Sequence, residues 1–254
     1  MDPLLKLEGL SVHFSGLKAL TDVSFDAHAG EVRAIIGPNG AGKTTLFNAI
    51  SGYSQPTAGT IHFKGEAIHG LSPHDISIKG VRRTFQNGGL FPELTALENI
   101  LAGLHTQITG GFFGVILGSR AAREAEREGI ARARSLLDLM DLGFLADQEV
   151  KDLSGGQQRM VEIVRTLATE PPLLLLDEPF VGLSPPMRTR MMEIIRKLAG
   201  EEGISILLVE HAIDIVMSSS DVIVVLSSGE KIAEGKPEQV RENREVLEAY
   251  LGYA

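Results

Sequence analysis

Eight consecutive residues near the N-terminus could hold a phosphate. Gly37-Pro38-Asn39-Gly40-Ala41-Gly42-Lys43-Thr44 has the G-x-x-x-x-G-K-[ST] spacing of a phosphate-binding loop, with Thr45 next in the chain. Its glycines let successive backbone N–H groups curl toward phosphate oxygens with no Cβ in the way. A helix that starts after Gly42 adds unpaired N–H groups and the positive end of its dipole. Lys43 can reach the β- and γ-phosphates, and the Thr44 hydroxyl is placed to ligate Mg²⁺. At this composition a chance match is expected in about one chain in a hundred. A nucleotide carried with Mg²⁺ is the ligand this loop predicts.

Leu173-Leu174-Leu175-Leu176-Asp177-Glu178 is an apolar run that ends in two carboxylates. Laid beside the strand before the phosphate loop, it delivers Asp177 to the Mg²⁺ and Glu178 toward an attacking water. Neighbours on a strand point to opposite sides, so the two cannot share one task. Seen alone, the pair could also be an acidic helix cap. A third segment, Leu153-Ser154-Gly155-Gly156-Gln157, reads locally as a capping box, with Ser154 and Gln157 three residues apart. A cap does not require two glycines, and a Gly-Gly at a helix start is a second place for an anion.

The elements that must carry these residues follow from periodicity. Leu5-Lys6-Leu7-Glu8, Val23-Ser24-Phe25-Asp26 and Thr60-Ile61-His62-Phe63 alternate as strands, and Val32 to Ile36 is a buried apolar run. Lys43 to Ile50 has helical composition, which makes strand, loop and helix the first half of an α/β unit. From about Thr95 to Leu142 the period is helical, interrupted by Gly110 to Gly118. A further helix follows Gly156 and stops at Pro171-Pro172. Strands are expected at Leu173–Leu176, Ile204–Val209, Val222–Leu226 and Lys231–Ala233, the last two joined by a Ser228-Gly229 hairpin, with a closing helix over Glu238–Leu251. The expected domain division is a catalytic α/β lobe of residues 1–86 and 160–254, with a helical insert of residues 87–159.

Composition narrows the class. The 254 residues carry 24 basic and 33 acidic side chains, a net charge of −9, which argues against nonspecific nucleic-acid binding. Cysteine is absent, which excludes disulfides, thiolate metal sites and a cysteine nucleophile. No apolar run approaches the length of a membrane span, and the first residues do not read as a secretory signal. The expectation is a cytoplasmic globular protein with an unusual number of glycines, 28.

The Leu-Ser-Gly-Gly-Gln segment, lying between the phosphate loop and the Leu₄-Asp-Glu strand, resembles the ATP-binding-cassette ATPases across essentially the whole chain. That resemblance implies a P-loop α/β core with an N-terminal antiparallel β subdomain and an inserted helical subdomain, and ATP as the nucleotide. It also implies a head-to-tail dimer, in which Ser154 and Gly156 of one subunit contact the γ-phosphate held by the other. Gln86 looks like the family's glutamine that senses Mg²⁺ and water, and His211 is similar to its switch histidine. Phe14 resembles the aromatic that stacks on adenine, with a core phenylalanine as the competing reading. Ser184 stands where many members carry Asp or Asn.

Within that family the chain is most similar to the ATP-binding subunits of branched-chain amino acid importers. The carriers are Arg83-Thr84-Phe85-Gln86, Leu97-Glu98-Asn99-Ile100, the Gly-Phe-Phe insert at 111–118 and Val246 to Gly252. The insert resembles one of the two importer subunits, and Gly182 to Pro185 looks nearer the other. The implied partners are a second ATPase subunit, identical or sister, membrane permease subunits met through residues 87–118, and indirectly a solute-binding protein. The implied location is the cytoplasmic face of the cell membrane. A non-transport cassette, such as an iron–sulfur assembly ATPase, is the alternative. A GTPase would carry Asn-Lys-x-Asp, which is absent.

Overall fold

A computed structural model describes residues 2–84, 89–104 and 120–251. In chain order the first elements are β1 (Leu5–Phe14), β2 (Leu17–Ala27), β3 (Val32–Ile36), α1 (Lys43–Ile50), β4 (Ala58–Phe63), β5 (Glu66–Ala67), α2 (Pro73–Lys79) and β6 (Val81–Arg83). Then come α3 (Ala96–Leu104), α4 (Arg120–Leu139), α5 (Gly155–Leu167), β7 (Leu173–Asp177), α6 (Pro185–Gly200) and β8 (Ser205–Val209). The chain closes with α7 (Ile213–Ser219), β9 (Val222–Ser227), β10 (Glu230–Gly235), α8 (Pro237–Arg241) and α9 (Arg244–Leu251).

By internal contacts these elements form two units, one of residues 1–83, 172–180 and 191–254, the other of residues 84–171 and 181–190. The first unit holds both sheets. One has the order β2-β1-β4-β5 and is antiparallel. Its inward residues Leu5, Leu7, Leu10 and Val12 change parity at Gly9, because the register shifts there as at a bulge. The other has the order β10-β9-β3-β8-β7-β6, parallel except for the β9–β10 hairpin. All residues of β3, β7 and β8 are buried, and strands covered on both faces read as unbroken apolar runs rather than alternations.

One core joins the antiparallel sheet, Phe47 and Ile50 of α1, and one face of the parallel sheet, including Leu173, Leu175 and Leu207. The opposite face, with Ala34, Ile36, Ile223 and Val225, is covered by Val216, Val240 and Val246 of α7, α8 and α9. The phosphate-loop strand is therefore clamped from both sides. That is what a loop needs if its backbone N–H groups are to keep one geometry.

The second unit is helical. Leu97 and Ile100 of α3, Leu137 of α4 and Met160, Val161 and Val164 of α5 are buried. A boundary at 159/160 would cut α5, which is one continuous helix from Gly155 to Leu167 and belongs with this unit.

Several elements differ from expectation. The closing helix is two helices, because Asn243 Oδ1 accepts from the N–H groups of Glu245 and Val246 and so caps a new start. Helix α5 stops at Leu167, before either proline, and the chain turns at Glu170 with φ 47°. The hairpin at Ser228-Gly229 is present, with φ 50° and 84°. The Gly110–Gly118 interruption lies outside the described residues.

Candidate active site

The phosphate loop leaves β3 at the carboxyl end of the parallel sheet, where α/β folds place ligands. Its two outer glycines are compelled by crowding. A Cβ on Gly37 would lie 2.1 Å from the Leu226 carbonyl oxygen, and one on Gly42, at φ 100°, would lie 2.6 Å from that of Ala19. Gly42 is also the N-cap of α1 and has no side chain to bond the helix's first N–H groups. Those donors stay available for an anion.

Lys43 is buried, and its Nζ donates to the carbonyls of Gly37 at 2.8 Å and Pro38 at 2.9 Å. Burial lowers its pKa from the ordinary lysine value, while the charges of Glu178 and Asp177 act in the opposite sense. The ammonium is thus held over the loop by the loop's own backbone, and a phosphate would restore the charge compensation that burial removes.

The loop opens into a cleft of about 370 Å³. Asn39, Gly40, Ala41, Gly42, Lys43, Thr44 and Thr45 form one wall, Leu17, Lys18 and Ala19 of β2 a second, and Glu178 and His211 a third. Phe14 is not among these lining residues. It is 48% exposed and pairs with Leu17 across the β1–β2 turn, so it is not a core phenylalanine.

The acidic strand does not lie directly beside the loop strand. β8 pairs with both β3 and β7 and separates them. The reason is topological, and its effect is to bring the end of β8, with His211 beyond it, between the loop and the carboxylates. The division of labour between the two acids does follow from their positions. Asp177 is the last residue of β7 and buried, whereas Glu178 sits just beyond the strand and faces the cleft.

Asp177 is held by Arg83, which in the sequence stood only as a carrier of the family resemblance, with no role of its own. Arg83 Nη2 donates to Asp177 Oδ2 at 2.9 Å, and Nη1 donates to Asn48 Oδ1 at 2.7 Å and Ser51 Oγ at 3.1 Å. Its guanidinium stands 5.5 Å from the centre of the Phe47 ring. One side chain on β6 therefore fixes the carboxylate on β7 against the far end of α1. The available signal was a charged residue at the inward end of a short strand. Arg83→Met is expected to destabilise the fold by about 3–5 kcal/mol, since it removes the guanidinium paired with a buried carboxylate. Chemical denaturation measures this, and an unchanged midpoint would sink the assignment.

Glu178 occupies the left-handed region at φ 52°, directly before Pro179. Such a conformation costs about 1–3 kcal/mol and persists only where surrounding contacts impose it. Its N–H donates to Val209 O at 2.9 Å, and its Oε1 lies 2.8 Å from Nε2 of His211. The strained turn aims the carboxylate out of the sheet and toward the loop. Glu178 and His211 thus form one hydrogen-bonded pair facing the phosphate-binding backbone.

Ser154, Gly155, Gly156 and Gln157 belong to the second unit. The capping box is complete: Ser154 Oγ accepts from Gln157 N–H at 3.3 Å, and Gln157 Oε1 accepts from Ser154 N–H at 2.9 Å. The two glycines have different reasons to be there. A Cβ on Gly156 would press on Met187 Cε at 3.2 Å and on the Gly182 carbonyl oxygen at 3.4 Å. One on Gly155 would meet no described atom within 4 Å. Packing within the unit explains Gly156 and leaves Gly155 to some other approach. Ser184 directly precedes α6. Gln86 lies outside the described residues.

Among the described residues no cluster of three or more His, Cys, Asp or Glu could hold a metal ion. Mg²⁺ bound with phosphates takes only one or two protein oxygens, so the Thr44 hydroxyl and the Asp177 carboxylate are a donor set of the right chemistry. Among the described residues no helix is long and apolar enough to cross a membrane.

Comparison with known proteins extends this geometry. The ABC transporter family model matches residues 20–181, and that of the branched-chain amino acid ATP-binding cassette transporter matches residues 230–254. The chain is 44% identical over 252 residues to the high-affinity branched-chain amino acid transport ATP-binding protein BraF of Pseudomonas aeruginosa, covering 99% of each. Among solved structures, it resembles the ADP conformation of an ATP-binding cassette of an ABC transporter, with a TM-score of 0.85, 33% identity, and 99% and 100% of the two chains covered. It also resembles the dimeric post-hydrolysis state of another cassette bound to ADP and Pi, with a TM-score of 0.78, 30% identity, and 92% and 98% covered.

Proposed function

Given that the chain belongs to the ABC transporter family, whose ATP-binding cassettes it matches along its whole length, we propose that it is the ATP-hydrolysing subunit of an importer for branched-chain or similar hydrophobic amino acids. The observation that carries the catalytic part is the Glu178–His211 pair facing the phosphate loop across one cleft. The match of residues 230–254 to a branched-chain-specific model supports the cargo class. It weighs against the iron–sulfur assembly alternative.

The residues divide the work as follows. Gly37 to Thr45 wrap the phosphates through backbone N–H groups, and Lys43 exchanges its loop carbonyls for phosphate oxygens. Thr44 and Asp177 are the residues that would hold Mg²⁺, which when bound offsets charge on the β- and γ-phosphates. Glu178 takes the proton of the attacking water, and His211, within hydrogen-bond reach of it, keeps that carboxylate turned toward the γ-phosphate. Gln86 reports on the same water, and Phe14 stacks on adenine.

Two subunits, identical or sister, assemble head to tail. Each places Ser154, Gly155, Gly156 and Gln157 against the γ-phosphate bound by the other. The open side of Gly155 supports that approach. Binding of ATP favours the closed pair because only that state makes both sets of phosphate contacts, and hydrolysis removes the preference. The inserted helical subdomain, which carries α5 whole, passes this movement to membrane permease subunits, met through residues 87–118. The subunit thereby works at the cytoplasmic face of the membrane, with a solute-binding protein delivering cargo to the permease. Purification from native membranes tests this: a permease and a solute-binding protein are expected to co-purify with the chain, and soluble scaffold proteins alone would sink the transport reading.

A further inference from the structure

Glu210 is 3% exposed and follows β8 directly. A buried carboxylate needs hydrogen-bond donors, and it has two of unusual placement. Oε1 accepts from the Phe180 N–H at 3.1 Å, and Oε2 accepts from the His211 N–H at 3.0 Å. One donor lies two residues beyond Glu178, in a turn whose left-handed start is strained and whose Phe180 side chain is itself buried. The other belongs to the histidine that contacts Glu178. The two oxygens of a single carboxylate therefore fasten the turn that follows Glu178, at Phe180, and the backbone of His211. Neither donor is in a strand, so no ladder would hold them otherwise.

We propose that Glu210 is a positioning residue, one that locks the Glu178 turn and the His211 backbone into a single geometry and so sets where the water-activating carboxylate stands. This rests on the reading of Glu178 as the base of ATP hydrolysis. The charge matters as well as the shape. A glutamine would turn an NH₂ donor toward one of two backbone donors, and that half of the fastening would be lost. An aspartate keeps the charged acceptor and gives up only reach.

The test uses the full-length protein, MgATP, and the variants Glu210→Gln, Glu210→Asp, Glu178→Gln and the double variant Glu178→Gln/Glu210→Gln. Glu210→Gln is expected to lower kcat on the order of 10- to 100-fold, the scale of a small misplacement of a catalytic group. The KM for ATP should stay unchanged, because the phosphate loop is not fastened by Glu210. Glu210→Asp should recover most of the loss. In single-turnover measurements the double variant should be no slower than Glu178→Gln alone, since Glu210 acts through Glu178. Wild-type kcat in Glu210→Gln overturns the proposal, as does a double variant whose losses simply multiply. If Glu210→Gln does not fold, Glu210→Asp decides: a residual loss of kcat smaller than about tenfold with KM unchanged supports the proposal, and either wild-type kcat or a parallel change of kcat and KM overturns it. Absence of hydrolysis by the unsubstituted protein overturns the functional reading itself, a result distinct from any of these.

Discussion

Glu178→Gln is expected to lower the rate of ATP hydrolysis by roughly 10²- to 10⁴-fold, the usual contribution of a positioned general base. Binding of ATP should survive, because the phosphate loop and Lys43 are untouched. The amide keeps the shape of the side chain and its hydrogen bond to His211 Nε2, provided the ring presents the matching tautomer. What it loses is the ability to take a proton from water. A base-free site that still binds ATP should hold two subunits together, since ATP binding closes the pair and hydrolysis reopens it. Size-exclusion chromatography with MgATP should show a stable dimer in the variant and a transient one in the unsubstituted protein. Persistent hydrolysis with no trapped dimer would remove Glu178 from the role assigned to it.

Lys43→Ala should act one step earlier. Lys43 Nζ is held by the Gly37 and Pro38 carbonyls, and on the proposed reading it exchanges them for phosphate oxygens, so both loop geometry and charge depend on it. A hydrogen bond to a charged group contributes about 1.5–3 kcal/mol, so affinity for ATP should fall on the order of 10- to 100-fold. Hydrolysis at saturating ATP should fall as well, since the same ammonium faces charge developing on the γ-phosphate. A fluorescent ATP analogue titrated against both proteins measures the first effect. In the same titration Phe14→Ala should weaken binding by only about three- to tenfold, the scale of one aromatic stack. A Phe14→Ala loss equal to that of Lys43→Ala would contradict the division of binding between phosphates and base.

How much was legible in the sequence varied with the range of the interaction. The loop from Gly37 to Thr44 could be read because its function resides in consecutive backbone groups, and the glycines that free them stand next to one another. The same is true of the Ser154–Gln157 capping box, whose two bonds close over three residues. The buried strands β3, β7 and β8 announced themselves as apolar runs, for burial on both faces leaves no room for alternation. The split of the closing helix was less visible. It depends on one asparagine side chain choosing its backbone partners, a local competition that periodicity does not register.

Direct side-chain contacts between segments far apart in the chain were not legible. Arg83 meets Asp177 across 94 positions, and Glu210 meets Phe180 across 30. Nothing in the residue types around Arg83 or Glu210 marks these contacts, because their partners are set by strand order. β8 between β3 and β7 is likewise a property of topology, and it changes which loop stands next to the phosphates.

The sequence by itself therefore marked out the candidate chemistry: a phosphate loop, two acids at one strand end and a second glycine site, with His211 entering only through the family resemblance. Each is written in a short run of residues whose backbone freedom or side-chain type does the work locally. The tertiary structure alone decided how that chemistry is held in place. A buried charge must find its counter-group or donors wherever the fold brings them, so Arg83 and Glu210 acquire their roles only once the sheet is assembled.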